Sequence, residues 1–362
     1  MWRDALVSLL IVAALALPAV VWPAPLGVLT IVEGDATVLR ESRRFPAAEG
    51  LRLLPDDIVH TGEQARLVRI ELAAGGTLDL GPATRLLLQS RFPVVDRPAP
   101  VYLLHGWLKA GAPRGDARSA APGVASPRLD VGELSGTVVL QVGRERSLAF
   151  AESGRATLVE RRDEAALRMH TLRDGDAYVQ RGTRDGAVAS RLPADALAQM
   201  PRAFADSLPL RAPRFDGVRL EPAGAADIEY DEAAPWINAE ASLRGVFRQR
   251  WAAKARDARF RAGLVADLKS HPEWARVLWP EKFQPKKPAV AAARPAAPPA
   301  AKAAPAVGTA ASPTASDATP VAAATSSATS TTTPATTAAT TAGDSTPAPD
   351  AIAAWPARMP PR

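Results

Sequence analysis

Cysteine is absent from the 362 residues. That excludes a disulfide scaffold, a thiolate metal site, a catalytic thiol and a lipidated N-terminal cysteine. Aromatic residues are few, 5% of the chain, and histidine occurs only at His60, His105, His170 and His271. Those four lie too far apart in sequence to form a local metal motif. Gly-x-Ser-x-Gly, Ser-x-x-Lys, Gly-x4-Gly-Lys and His-Glu-x-x-His are all missing, so no known nucleophile, phosphate loop or zinc helix is present. Leu, Phe and Tyr are missing altogether from 288–362, a stretch of 28 Ala, 13 Pro and 13 Thr. Such a tail cannot bury enough apolar surface to offset chain entropy and is expected to be disordered over 284–362. The net charge of +6 is too small over this length to point to nucleic acid.

What is present begins with a short charged start, Met1 to Asp4, and an apolar run over 5–21 broken only by Ser8 and Pro18. This is the layout of an export signal, and it places the rest of the chain outside the cytoplasm. Ala14-Leu15-Ala16 fits a small-x-small cleavage pattern, whereas seventeen residues also sit at the lower limit for a membrane anchor. Both readings of 1–25 stand.

Between 26 and 190 the sequence reads as mainly β. Short apolar runs at 28–32, 36–39, 58–60, 66–72, 77–80 and 86–88 alternate with Gly- and Pro-marked turns, and others follow at 102–104, 106–110, 129–131, 137–142, 156–160 and 178–180. In 66–72, Val68, Ile70 and Leu72 share one face and Arg69 and Glu71 the other, the period of a half-buried strand with a wet side. Ala74-Gly75-Gly76 supplies the next hairpin turn. Strands at this spacing without helices between them indicate a sandwich, a roll or a solenoid-like stack. An echo at an offset of 120 links Gly34, Ala36, Thr37 and Val38 to Gly154, Ala156, Thr157 and Leu158. The same offset links Asp56, Ile58, Val59 and Gly62 to Asp176, Tyr178, Val179 and Gly182, a repeated strand-turn-strand unit.

The motifs Val32-Glu33-Gly34-Asp35-Ala36-Thr37-Val38, Leu54-Pro55-Asp56-Asp57-Ile58-Val59 and Gly75-Gly76-Thr77-Leu78-Asp79-Leu80 occur in that order. Leu104-His105-Gly106-Trp107-Leu108 and Gly136-Thr137-Val138 follow, and the series closes over Glu152 to Leu158. Together, over 27–182, they resemble a FecR domain. The resemblance implies an all-β extracytoplasmic sensor or interaction domain. FecR regulators carry a sigma-binding region ahead of their membrane helix, and here only Met1 to Asp4 precede the apolar run, so direct sigma-factor binding is not expected. The family's Asp-Gly-Ser turn is Gly75-Gly76-Thr77 in this chain, and Ser135 stands where Arg is common.

Beyond 190, a linker over 191–234 contains a helical pattern (Leu197, Met200, Phe204) interrupted by Pro201. Asp227, Glu229, Asp231 and Glu232 form an acidic cluster that offers oxygen ligands to calcium but lacks a glycine-turned loop, and it reads as solvated linker. A basic helical module is expected over 235–283, with Asn238 as its N-cap and Leu243, Phe247 and Trp251 on one face. A second helix is capped by Asp257 and buries Phe260, Leu264 and Leu268. Trp251, Trp274 and Trp279 read as core or docking residues. Residues 239–282 hold ten Lys and Arg against five Asp and Glu. Arg244, Arg248, Arg250, Lys254, Arg256, Arg259 and Arg261 are therefore the candidate interaction surface, facing an acidic partner or phospholipid headgroups.

The expected function is a non-catalytic envelope sensor or protein-interaction module in signal transduction, without metal, cofactor or nucleic acid, that docks an envelope protein on sheet edges or loops. The alternative is an envelope scaffold whose basic helices bind membrane or cell wall.

Overall fold

The computed structural model describes residues 24–88, 93–94, 97–98, 101–112, 123–218 and 220–283. The chain divides into two units, Met1–Pro288 and Ala289–Arg362, and every element below belongs to the first. The N-terminal apolar run and the Ala/Pro/Thr tail lie outside the described residues.

The fold is mainly β. Strands β1 (Gly27–Glu33), β2 (Ala36–Arg40), β3 (Arg43–Pro46), β4 (Arg52–Leu53) and β5 (Ile58–Thr61) come first, followed by β6 (Leu67–Leu72), β7 (Thr77–Leu80) and β8 (Arg85–Leu88). A two-stranded ribbon, β9 (Pro93–Val94) and β10 (Arg97–Pro98), precedes the longer strands β11 (Val101–Gly111), β12 (Val124–Ala125), β13 (Leu129–Val142) and β14 (Arg146–Arg162). Then come β15 (Ala165–Arg173), β16 (Ala177–Arg181), β17 (Ala187–Ala189) and, much later, β18 (Ala226–Asp227). Sixteen of these form one sheet, ordered β17-β16-β14-β13-β12-β11-β8-β5-β2-β3-β18 with β1, β4, β6, β7 and β15 as branches. Pairs of expected strands merge: 102–104 and 106–110 are both β11, and 129–131 and 137–142 are both β13. The glycines between them, Gly106 and Gly136, sit at positive φ inside continuous strands.

One face of the sheet closes on a single cluster that includes Leu29, Val38, Val59, Ile70, Leu80, Leu103, Leu140 and Leu158. The other face of the sheet is covered too. The runs Ile58-Val59 and Leu86-Leu87-Leu88 have no polar alternation because both sides are dry.

Helices α1 (Ala194–Gln199), α2 (Tyr230–Ile237), α3 (Ala241–Trp251), α4 (Ala258–Ala266) and α5 (Ala275–Leu278) supply the cover. Leu243, Phe247 and Trp251 of α3 and Phe260 and Leu264 of α4 are buried at the expected spacing, and the Asp257 side chain accepts from Phe260 N–H, capping α4. They share one cluster with Leu39, Ile58, Leu87 and Tyr102 of the sheet.

The helices begin earlier than the sequence suggested. The acidic cluster is the start of α2, where Glu229 and Glu232 form a reciprocal capping box, and Asn238 ends that helix instead of opening the next. Acidic side chains belong in a first turn because the helix dipole is positive there.

The wet side expected for β6 is also absent. Arg69 and Glu71 are each only 4% exposed. The stretch expected to be a linker crosses over them as a strap, with Phe204 fully buried and Leu197 left exposed.

The internal echo is real in its second half at an offset of 119, one less than the matched letters suggest. Leu54 N–H donates to Asp57 Oδ2 as Arg173 N–H donates to Asp176 Oδ2, at 2.8 and 2.9 Å. The preceding residues, Asp56 and Gly175, both have positive φ. Thus Asp57, not Asp56, corresponds to Asp176, and β5 and β16 start with the same burial pattern.

Candidate functional site

The seam between helices and sheet is built from polar residues that each reach across it. Tyr102 Oη–H donates to Glu240 Oε1 at 2.6 Å, and Arg161 spans Glu240 at 3.2 Å and Asp130 at 3.6 Å. Burial pushes the Asp130 carboxyl up to about 6 against the pull of Arg161. Glu164, in the β14–β15 turn, accepts from Ala241 N–H and Ser242 N–H at the start of α3. Trp236 Nε1–H donates to His60 Nε2 at 2.8 Å. That hydrogen bond makes Nε2 an acceptor, so the proton of the neutral ring sits on Nδ1. Burial, assisted by the Arg85 charge, lowers the His60 pKa to about 3.

Beside this seam opens a cleft of about 1320 Å³. Arg85, Leu104 and His105 lie on its sheet side. Tyr230, Pro235 and Arg244 line it from the helices, and Arg128, Arg144 and Gln199 from the remaining side. Arg85 pairs with His60 across β5 and with His105 across β11, so strand register brings together two histidines 45 positions apart in sequence. Arg85 is half-buried and, among the described residues, has no hydrogen bond or ion pair. Burial alone holds its guanidinium below the ordinary value.

The seven basic residues singled out in the sequence do not form one face. Arg250 is turned inward and donates to the carbonyls of Asp56, Glu41 and Leu39. Arg244 donates to Ala239 O and Ser270 O, and Arg261 to Leu278 O. Lys254 pairs with Asp227 at 3.1 Å. Arg248 is half-buried, and only Arg256 and Arg259 are exposed. Four of the seven are thus internal braces. Guanidinium groups suit this task because several N–H donors in a fixed fork can satisfy carbonyls at strand and helix ends.

His170 Nε2 lies 3.7 Å from the buried Glu160 and its ring 5.2 Å from Tyr178. His271 is fully buried between Asn238 Oδ1 and Leu264 O, joining α2 to α4. Asp57 receives both Arg40 and the Leu54 N–H, which makes it a turn brace. No group of three or more His, Asp or Glu side chains forms a metal cluster among the described residues.

Sequence reasoning missed β15. This nine-residue strand pairs with β14 alone among the described residues, so its other edge presents free N–H and C=O groups. Met169 is 63% exposed and Leu167 47%. The pair Arg155↔Arg173 places like charges directly opposite one another on the same exposed ribbon. The signal available in the sequence was weak, because Ala165 to Arg173 mixes charges and apolar residues without a period.

No family model matches the chain, and no curated protein matches it. Two crystal structures of a candidate anti-sigma factor from Parabacteroides distasonis ATCC 8503 are similar at 14% and 12% identity, with TM-scores of 0.31 and 0.30. Each alignment covers 37% of this chain and 59% of that one, so this chain spans about three fifths of the length of those structures. No helix among the described residues is long and apolar enough to cross a membrane.

Proposed function

We propose that the chain is a non-catalytic interaction module of the cell envelope that docks an extended segment of a signalling partner on the free edge of β15. The observation that carries this reading is the unpaired nine-residue edge with Met169 and Leu167 exposed beside it. Strand addition draws affinity from the main chain and specificity from alternate side chains. Arg155 and Arg173, four residues further along the ribbon from Met169, favour an acidic segment carrying an apolar residue, and their charge discourages a second copy from pairing there. Placement in the envelope rests on the apolar run after Met1 to Asp4, and the signalling role on the FecR-like order of motifs over 27–182.

A photo-crosslinking amino acid at Met169 of the full chain tests this in envelope preparations. It is expected to capture one protein partner, and capture from Leu167 is expected to fall at least tenfold when Met169→Glu is introduced. Capture that survives Met169→Glu, or adducts only between copies of this chain, would overturn the reading. The scaffold alternative is weakened by the helices, where Arg244, Arg250 and Arg261 are engaged with the protein's own carbonyls and Lys254 with Asp227.

A further inference from the structure

We infer that the cleft beside α2 is a binding site for a small ligand bearing a carboxylate or phosphate group, seated on Arg85. The argument starts from cost. A half-buried guanidinium with no counter-charge has given up part of its hydration and gains no ion pair in return. Residues retained against stability mark places where a fold serves something other than itself. The other buried and half-buried arginines that line the cleft and its seam have partners. Arg161 has Glu240 and Asp130, Arg250 has three carbonyls, and Arg146 has Gln141 and Asp195. Arg85 lines the cleft without such a partner among the described residues.

The surroundings fix the sign of the ligand. Three of the acids lining the cleft are engaged: Glu240 with Arg161, Asp267 with the Tyr230 hydroxyl, and Asp195 with Arg146 and Arg181. The two that are not, Glu145 and Asp231, are exposed at its rim. His60 offers no competing charge, because its Nε2 accepts from Trp236. A planar fork of N–H donors matches a two-oxygen anion. Leu104, Pro235 and the Tyr230 ring give the rest of the ligand apolar surface, as small-molecule sites do. This site is separate from the β15 edge and stands or falls independently of it.

Titration of the full chain with sodium citrate and with inorganic phosphate, each against sodium chloride at equal ionic strength, tests the inference by calorimetry and by Tm. Saturable binding of citrate alone identifies a carboxylate ligand, and of phosphate alone or of both a less selective oxyanion site. Arg85→Leu is expected to weaken the binding at least tenfold and to leave the ligand-free Tm equal or higher, while Arg256→Ala, outside the cleft, leaves binding unchanged. Absence of saturable binding to either anion overturns the inference. So does binding that Arg85→Leu leaves intact, or a fall in the ligand-free Tm showing that Arg85 serves the fold.

Discussion

The helices over β5 and β8 and the strap over β6 and β7 cover the same sheet by different means. Under the helices the contact is aromatic: Trp236 and Phe247 lie 5.4 Å apart and Phe247 and Trp251 4.9 Å, all fully buried. The strap buries one large aromatic, Phe204, packs Ala196, Met200 and Leu208 beside it, and is held further through its backbone. Lys109 donates to Phe204 O, Arg69 to Leu208 O at 3.2 Å and Arg52 to Phe215 O at 2.9 Å, while Glu71 accepts from Arg211 N–H and Ala212 N–H. Apolar burial is non-directional and couples the helices to the whole core. Clips of this kind are local, and segments with few apolar contacts open at lower free energy than the global transition. The helix cover is therefore part of the core, and the strap is a fitted attachment to it.

The largest expected effect tests the first half of that contrast. Phe247→Ala removes the ring between two tryptophans and leaves a cavity, at a cost of roughly 3–5 kcal/mol. Because helices and sheet share one cluster, helical and sheet signals should be lost in a single urea transition at a lower midpoint. Two separate transitions, with the sheet signal unmoved, would break the comparison by making the helices a domain of their own.

A smaller and more local loss is expected from Glu71→Gln. Its carboxylate, which also accepts from Thr30 Oγ1 at 2.9 Å, would keep acceptor capacity on one atom and present a donor on the other. Charge-assisted hydrogen bonds contribute about 1.5–3 kcal/mol. Hydrogen exchange should accelerate at the Arg211 and Ala212 amides while those of α3 keep their protection. Equal acceleration at both places would mean that the strap unfolds only with the core.

The covers should also differ in their response to pH, with an effect reduced by two groups in the helix seam that oppose each other. His60 titrates near 3 when folded and near 6.5 when unfolded. Its contribution is full above 6.5 and is lost as pH falls toward 3, because the unfolded chain takes up the proton first. Asp130 is shifted the other way, from 3.8 to about 6. Its contribution is present below 3.8 and lost as pH rises through 6. Between 3.8 and 6 the two slopes cancel in part. His60→Gln keeps an acceptor for Trp236 and removes one slope, so stability relative to the native chain should fall as pH rises from 4 to 6. Asp130→Asn should do the reverse. Urea midpoints at pH 4, 5 and 6 decide the matter, and parallel profiles for all three chains would refute it.

The same contrast explains what the sequence disclosed. Leu243, Phe247 and Trp251 recur every four residues, and that period alone places them on one buried face. The uninterrupted run Leu86-Leu87-Leu88 was the matching sign that a sheet face was available for them. The strap carries only the short pattern of Leu197, Met200 and Phe204, of which Leu197 is exposed, and many of its contacts are made by its own N–H and C=O groups, which every sequence has. Arg69 and Glu71 alternate with apolar neighbours whether water or a polypeptide covers them, so their burial depended on a segment 140 residues away. The cleft escaped detection for a related reason. Arg85 stands between His60 and His105 only through the register of β5, β8 and β11, and sequence distance conceals register.

The smallest expected effect concerns the basic residues of the helices. Arg256 and Arg259 are exposed, and neither guanidinium has a hydrogen bond or ion pair among the described residues. Truncating either to Ala should change stability by no more than about 0.5 kcal/mol, whereas Arg250, six residues before Arg256, is bound to three carbonyls of the sheet. The pair also separates two meanings of a local positive charge. If the excess over 239–282 served a membrane surface, Arg256→Glu with Arg259→Glu would release the chain from anionic vesicles while leaving its fold intact. If the charge is chiefly internal bracing, vesicle binding is weak from the start and the double variant barely alters it. The placement of Arg244, Arg250, Lys254 and Arg261 favours the second outcome, since a cation that has exchanged water for a backbone carbonyl has little left to offer a phosphate. Tight, salt-sensitive vesicle binding abolished by the double variant would reverse that conclusion and return the helix cover to the surface.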